Sequence, residues 1–287
     1  MSMIDKKTPR NIKCGPIVAF ILRYFVMIFV VVICLFPLIW VFVSSFKTNM
    51  EILSSAVTLP QTLSLKGYQS AIKITRLDMR FVTSLIVTLS TTALSIVIYS
   101  MSAYVLARAK FKLKGLIFGI LISSILIPTN AMIQPVYTVI KSLNLYDTKT
   151  ALILVYTAFS MPMCLFLLRS YFLSIPAELE ESAYLEGAGF LRTFWSIMLP
   201  CAKPVVASAS VLTFIYSWNE LMYALLLTSS ECNRTMPLAM KYFTSMFSFD
   251  YSAMFAAVIL CVLPTIVVYV ILQEQIMESV VAGSVKG

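Results

Sequence analysis

Two stretches hold most of the residues whose types and spacing suggest chemistry. One runs from Pro176 to Pro200. Glu178, Glu180, Glu181 and Glu186, four of the thirteen acidic residues, lie in it ahead of Gly187 and Gly189. The other is Tyr216-Ser217-Trp218-Asn219-Glu220, where Glu220 is the only acid well inside an apolar run. An ionisable group at bilayer depth costs about 3 kcal/mol or more, so it faces a cavity or a partner. Glu220 reads in two ways: as lining of a path through the protein, or as a solvated group near the headgroups. Catalysis is poorly served. The chain has no histidine, which removes imidazole bases, His-based triads and most zinc sites. Cys14, Cys34, Cys164, Cys201, Cys232 and Cys261 form no Cys-x-x-Cys or zinc spacing and read as inert thiols. A Ser–Lys hydrolase would need a lysine in a span, and Lys141 and Lys203 fall at span ends. A phosphate loop needs Gly followed by Lys, and that dipeptide is absent. Energy from ATP, if used, must then come from another chain, and no cofactor is expected in this one.

The first stretch reads as a helix–turn–helix hairpin. Proline suits a first helical turn, and the early glutamates sit near the positive end of the helix dipole. Gly187 and Gly189 permit a turn that side chains would strain. Phe190, Phe194, Ile197 and Met198 then recur on one face of a second helix. Leu199-Pro200 is expected to end it, because the residue before proline leaves the helical region. The apolar face is expected to be exposed. It would dock a partner or lie on the lipid interface; both need the same amphipathic pattern.

The rest of the chain must hold these residues in a membrane. Of 287 residues, 60% are hydrophobic and 12% charged, against roughly 25% charged in soluble domains. The net charge of +9 does not indicate nucleic acid, since the basic residues flank apolar runs. Six runs approach the roughly 20 residues that cross a bilayer, at about 17–46, 82–106, 115–135, 149–173, 203–228 and 252–273. The first is too long for a signal peptide and is read as retained. An all-α membrane protein of about six spans follows. Residues 1–16 form a cytoplasmic segment and 17–273 the membrane domain, with its core at about 80–273 and the hairpin at 174–200; residues 274–287 form a cytoplasmic tail. Four basic residues in 107–114 against two in 141–149 place both termini and the hairpin inside. Residues 47–80 read as an exterior cap. Gly115 and Gly119 form a GxxxG that would let helices approach. Asn233-Arg234-Thr235 fits a glycosylation sequon. An ion-coupled secondary transporter would need more mid-membrane acids and repeated halves, neither of which is found.

The hairpin resembles the "EAA" signature of permease subunits of binding-protein-dependent ABC importers. The matching residues are Glu181-Ser182-Ala183, Gly187 and Ile197-Met198-Leu199-Pro200, with Ser182 in place of the usual Ala and Glu186 in place of the usual Asp. Ala103-Tyr104, Ala107-Arg108, Ile127-Pro128, Pro135-Val136-Tyr137 and Leu145-Tyr146-Asp147-Thr148 follow in family order. Trp218-Asn219-Glu220 and the tail Ala282–Gly287 are similar to the carbohydrate branch, in particular its smaller maltose-type subunit. The resemblance implies a coupling hairpin, carried by Glu181, Ser182, Ala183, Gly187, Phe194, Ile197, Leu199 and Pro200, that docks into a separate ATPase. It also implies a second permease, an ATPase pair using ATP and magnesium, an extracytoplasmic solute-binding protein and a bacterial or archaeal cell membrane. The expected solute is a sugar, or else a polyol or glycerol phosphate. Asn219 would hydrogen-bond its hydroxyls, Glu220 would line the path, and Tyr216 or Trp218 would stack on it.

Overall fold

The computed structural model describes residues 14–55, 58–244 and 250–284. Lys6, Lys7, Arg10 and Lys13, and Val285-Lys286-Gly287 of the tail, lie outside them. Among the described residues the chain is helical. α1 (Cys14–Ser44) is followed by α2 (Asn49–Ser54), α3 (Lys66–Thr75), α4 (Leu77–Arg108), α5 (Lys114–Ser123) and α6 (Ile133–Ser142). Then come α7 (Lys149–Ser174), α8 (Glu178–Leu185), α9 (Phe190–Thr193) and α10 (Leu199–Cys201). The last three are α11 (Lys203–Asn219), α12 (Met222–Leu227) and α13 (Tyr251–Ser284).

Among the described residues, four segments are each long and apolar enough to cross a membrane: Phe20–Ser44, Leu77–Arg108, Lys149–Ser174 and Tyr251–Gln275. The other two expected spans are interrupted. The third stops at Leu126 instead of about 135, and the chain bends by 95° into Thr129–Ser142. Ile127 is extended (φ −82°, ψ 116°), as a residue before proline prefers. The thirteen residues Lys114–Leu126 rise about 20 Å, short of the roughly 30 Å core. The fifth breaks at Glu220, which is extended (φ −69°, ψ 126°), before α12. The sixth span lies where expected, at Tyr251–Gln275, and its helix continues past the span to Ser284. The hairpin's second arm also differs from expectation. Leu199 is helical (φ −67°, ψ −43°) and the helix runs through Pro200 to Cys201. A π turn at Phe194–Met198, closed by Leu199 N–H donating to Phe194 O, widens the helix just where the proline ring would clash.

α4 is the hub. It packs along α7 and α11, and α11 along α13. Its buried side carries Thr83, Val87, Thr91, Ser95, Tyr99 and Ala103, every fourth residue and mostly small or polar. Lipid tails are as apolar as leucine, so helix association in membranes relies on close contact and interhelical hydrogen bonds. The Ser95 and Ser160 hydroxyls pair at 2.9 Å, and Tyr99 OH donates to Thr157 O at 2.7 Å. The GxxxG plays no such part within the chain: nothing lies within 4 Å of a Cβ at Gly115 or Gly119. α1 meets α13 at one end, where Trp40 touches Phe255 edge-on at 5.1 Å. Its residues from Phe20 to Ile39 stay exposed.

At the end far from the hairpin, residues 45–55 and 58–75 form a cap around α2 and α3. Thr48 and Glu51 close a capping box on α2. Tyr68 OH and Ser45 Oγ lie 2.8 Å apart, and Ser252 Oγ donates to Lys47 O at 2.7 Å. α3 approaches α13 so closely that a Cβ on Gly67 would sit 2.4 Å from Ser252 Oγ and 2.7 Å from its carbonyl oxygen. Gly67→Val must push the cap off α13. Overpacking of this kind costs about 1–3 kcal/mol, so the thermal midpoint in detergent should fall by roughly 3–10 °C. Limited proteolysis should cleave within 45–75 faster than in the wild type; an unchanged digestion pattern would show the contact to be soft.

Candidate functional site

The hairpin starts with Glu178, Glu180 and Glu181 in the first turn of α8. Gly187 ends it at φ 81°, a left-handed conformation that strains any side chain. Space is not the constraint, since nothing lies within 4 Å of a Gly187 Cβ. The 6→1 bond from Ala188 N–H to Ala183 O, at 2.9 Å, turns the chain into α9.

The aromatic face expected to be exposed is mostly turned into the protein, with Phe190 at its edge still 36% exposed. Phe194 is 1% and Met198 0% exposed. Tyr104 of α4 stacks on Phe190 at 4.6 Å and lies 5.2 Å from Phe194; Phe172 of α7 lies 6.4 Å from Phe194. These rings give the hairpin an apolar seat inside its own chain. Ala183 is buried beside them. The face turned outward carries Glu181, Ser182, Tyr184, Leu185, Leu191 and Trp195, with Leu185 90% exposed. Ile197 and Leu199 are half-buried, and Pro200 is exposed.

One contact of the hairpin is not evident in the sequence. Glu180, adjacent to Glu181, is buried and forms an ion pair with Arg108 at 3.4 Å, both side chains at most 15% exposed. Arg108 also donates to Ile175 O, at the entry to the hairpin. Breaking such a pair strands a charge and costs on the order of 3 kcal/mol. In the sequence Arg108 reads as one of the basic residues of 107–114 and as part of a matching segment. The acid four to five residues into the hairpin and the arginine closing α4 were the available signal.

The second candidate site lies at the break in the fifth span. A cavity of about 460 Å³ is lined by Thr129, Asn130, Ile215, Tyr216, Asn219, Glu220, Leu221, Met222 and Tyr223. Tyr216, Asn219 and Glu220 thus come together as expected. Trp218 does not join them. It is 1% exposed, donates its indole N–H to Cys261 O at 2.8 Å and stacks on Phe214 at 5.8 Å. α11 turns it toward α13, so it ties the two helices and offers a solute no face. Glu220 accepts from Tyr156 OH at 2.8 Å, Tyr223 N–H at 2.9 Å and Ala224 N–H at 3.0 Å. Its carboxylate therefore closes the broken helix as well as lining the cavity, and it is not simply solvated. Asn219 donates to Ile215 O at 2.8 Å. Thr129 and Asn130, not anticipated, form the opposite wall, held by Tyr223 OH donating to Thr129 O at 2.7 Å. Among the described residues no group of His, Cys, Asp or Glu side chains could hold a metal ion.

Asp147 stiffens the same end of the bundle. It adopts φ 58°, and its carboxylate accepts from Ser229 N–H at 2.9 Å, Ser230 N–H at 3.0 Å and the Ser230 hydroxyl. Asn233 donates its amide to Asp147 O, so the sequon's side chain is already engaged. Burial would raise the Asp147 carboxyl, but these donors outweigh it and hold it well below the usual carboxylate range. A depressed pKa adds stability above the unfolded pKa and loses it as pH falls through the folded one. Asp147→Asn should therefore lower the thermal midpoint at neutral pH. The gap from wild type should shrink as pH drops below about 4, where the unfolded-state carboxyl starts to take up protons. A gap independent of pH would assign the loop's order to other contacts.

A family model described as "Binding-protein-dependent transport system inner membrane component" matches residues 100–280, from the latter part of α4 through the hairpin to α13. The sulfoquinovosyl glycerol transport system permease protein SmoH of Agrobacterium fabrum is 33% identical over 267 residues, 93% of this chain and 94% of that one. The diacetylchitobiose uptake system permease protein NgcG of Streptomyces coelicolor is 34% identical over 255 residues, 88% of this chain and 84% of that one. The trehalose transport system permease protein SugB of Mycobacterium tuberculosis is 30% identical over 255 residues, 88% and 93% of the two chains. A chain in the crystal structure of a bacterial ABC transporter that imports the acidic polysaccharide alginate shares the fold. Its TM-score is 0.80 over 93% of this chain and 99% of that one, at 21% identity. The chain with its inward-seated hairpin and broken fifth span belongs to the family of binding-protein-dependent transport system inner membrane components, the permease subunits of ATP-driven importers.

Proposed function

We propose that this permease, paired with a second, related permease, forms the membrane path for a sugar. The observation that carries the reading is the cavity at the fifth-span break. Its wall offers hydroxyl, amide and carboxylate groups from Thr129, Asn130, Tyr216, Asn219 and Glu220. Such groups suit a polyhydroxylated solute, and Tyr216 gives it an apolar face to lie on. The lining holds one carboxylate and no Lys or Arg, which favours a sugar or polyol over glycerol phosphate. The names of several relatives refer to sugar or glycoside transport.

Coupling is assigned to the hairpin. Its outward face, with Glu181, Ser182, Tyr184, Leu185 and Trp195, docks onto one member of an ATPase pair that binds ATP and magnesium. Gly187 sets the turn, Ala183 and Phe194 seat the hairpin from behind, and Ile197, Leu199 and Pro200 shape its exit. Both termini and the hairpin lie in the cytosol of a bacterial or archaeal cell. The excess of basic residues in 107–114 supports this orientation. A solute-binding protein delivers its cargo at the far end. Nucleotide-driven closure of the ATPase pair moves the docked hairpins, and the helix bundles rock between discrete states.

Two outcomes test this assignment. Glu181→Lys should reduce the ATPase that copurifies with the permease while leaving its level in the membrane unchanged; full recovery of the ATPase would remove Glu181 from the contact. Asn219→Leu should weaken transport of a panel of labelled disaccharides by about tenfold, the cost of one hydrogen bond to the solute, with ATPase binding intact. Unaltered uptake kinetics would leave Asn219 a purely structural residue.

A further inference from the structure

α4 ends in a buried arginine contact on both sides of the membrane. At the hairpin end, Arg108 pairs with Glu180 and donates to Ile175 O. One turn earlier, Tyr104 packs on Phe190 and Phe194. At the far end, Arg80 is 0% exposed and bonds to Glu231, which also pairs with Arg234. Thr83 Oγ1 donates to Cys232 O at 2.9 Å, and Met236 N–H donates to Ser84 Oγ at 2.7 Å. The segment 231–236 is thereby fixed to α4. Through Asn233 it is also fixed to Asp147, at the start of α7. Between the two arginines α4 is uninterrupted helix, with no proline, and 28 residues of helix span about 42 Å.

We infer that Arg108 and Glu180 are positioning residues that make the hairpin and α4 one rigid body, so that hairpin movement reaches the 231–236 segment across the membrane. The inference rests on the coupling role proposed for the hairpin. Glu181 and Glu180 divide the work: one faces the partner, the other faces Arg108. A side chain facing away from the docking surface has no reason to affect docking. Its loss should instead separate ATP turnover from movement at the far end. Packing of Tyr104 against Phe190 and Phe194 steadies the joint, while Arg108 adds an ion pair to Glu180 and a hydrogen bond to Ile175 O.

Cys232 is exposed and sits within the far-end segment, so it reports on that segment directly. The experiment uses the assembled importer in proteoliposomes, with the other cysteines replaced by serine or alanine. A membrane-impermeant maleimide labels Cys232 with and without trapping by ATP and vanadate. In the otherwise unaltered protein, trapping should change the labelling rate several-fold. Arg108→Gln and Glu180→Gln should each bring the ratio of trapped to untrapped rates to one, with the ATPase still copurifying and hydrolysing ATP. The exchange Arg108→Glu with Glu180→Arg should restore most of the change, which a merely damaged fold would not do. A persistent change in the single variants overturns the inference. So does an exchange variant as silent as the singles, loss of the ATPase from either single variant, or no change at Cys232 in the parent protein. Failure of the ATPase to copurify with the parent protein would instead overturn the coupling role itself.

Discussion

No water inside a bilayer satisfies a helix that stops or breaks, so every interruption must find its hydrogen bonds within the protein. This requirement accounts for where the polar side chains sit. The last carbonyls of α4 are met by Lys114, which donates to Ala107 O at 2.7 Å and Ala109 O at 3.1 Å, and by Arg169, which donates to Leu106 O at 3.1 Å. Cations also suit the negative end of the α4 dipole. The break in the fifth span is closed by Glu220, an anion at the start of α12. The loop after α12 is gathered by Asp147. Basic residues that read as a topology signal thus also terminate helices. Lys114 serves both ends of that account, since loop charge and helix capping place a lysine at the same membrane surface.

The unbroken spans were legible because hydropathy depends only on composition along the chain. Hydropathy places the fourth at about 149–173, and α7 is Lys149–Ser174. The breaks were not, because apolar content is the same on either side of a bend. Ile127-Pro128 carried the local signal for one, and a glutamate in an apolar run carried the signal for the other. Amphipathicity located the hairpin's apolar face but could not say what it meets. Tyr104, far away in sequence, and Phe172, just ahead of the hairpin, turn most of that face inward. Glu180 and Glu181 are chemically identical in the sequence, and both favour the first turn of α8. Successive helical residues point about 100° apart, so only one can reach Arg108, and that arginine lies 72 positions earlier. Trp218 failed as a site residue for the same reason: its partner, Cys261 O, is on another helix.

The two irregular spans are not independent faults. Thr129, just past the bend at Pro128, and Tyr223, just past the break at Glu220, are joined by a hydrogen bond of 2.7 Å. The cavity lies between them. Non-helical backbone at membrane depth is tolerated where it lines a water-filled space or is buried in protein. A continuous helix directs its backbone groups along its own axis and presents side chains alone. A broken one frees carbonyls, amides and the carboxylate that caps it. A polar wall in a chain this apolar is therefore built where helices stop, and the residues that stop them, Pro128 and Glu220, decide its depth. Restoring helix at either position would remove the polar groups along with the bend, since the irregularity and the lining have one cause.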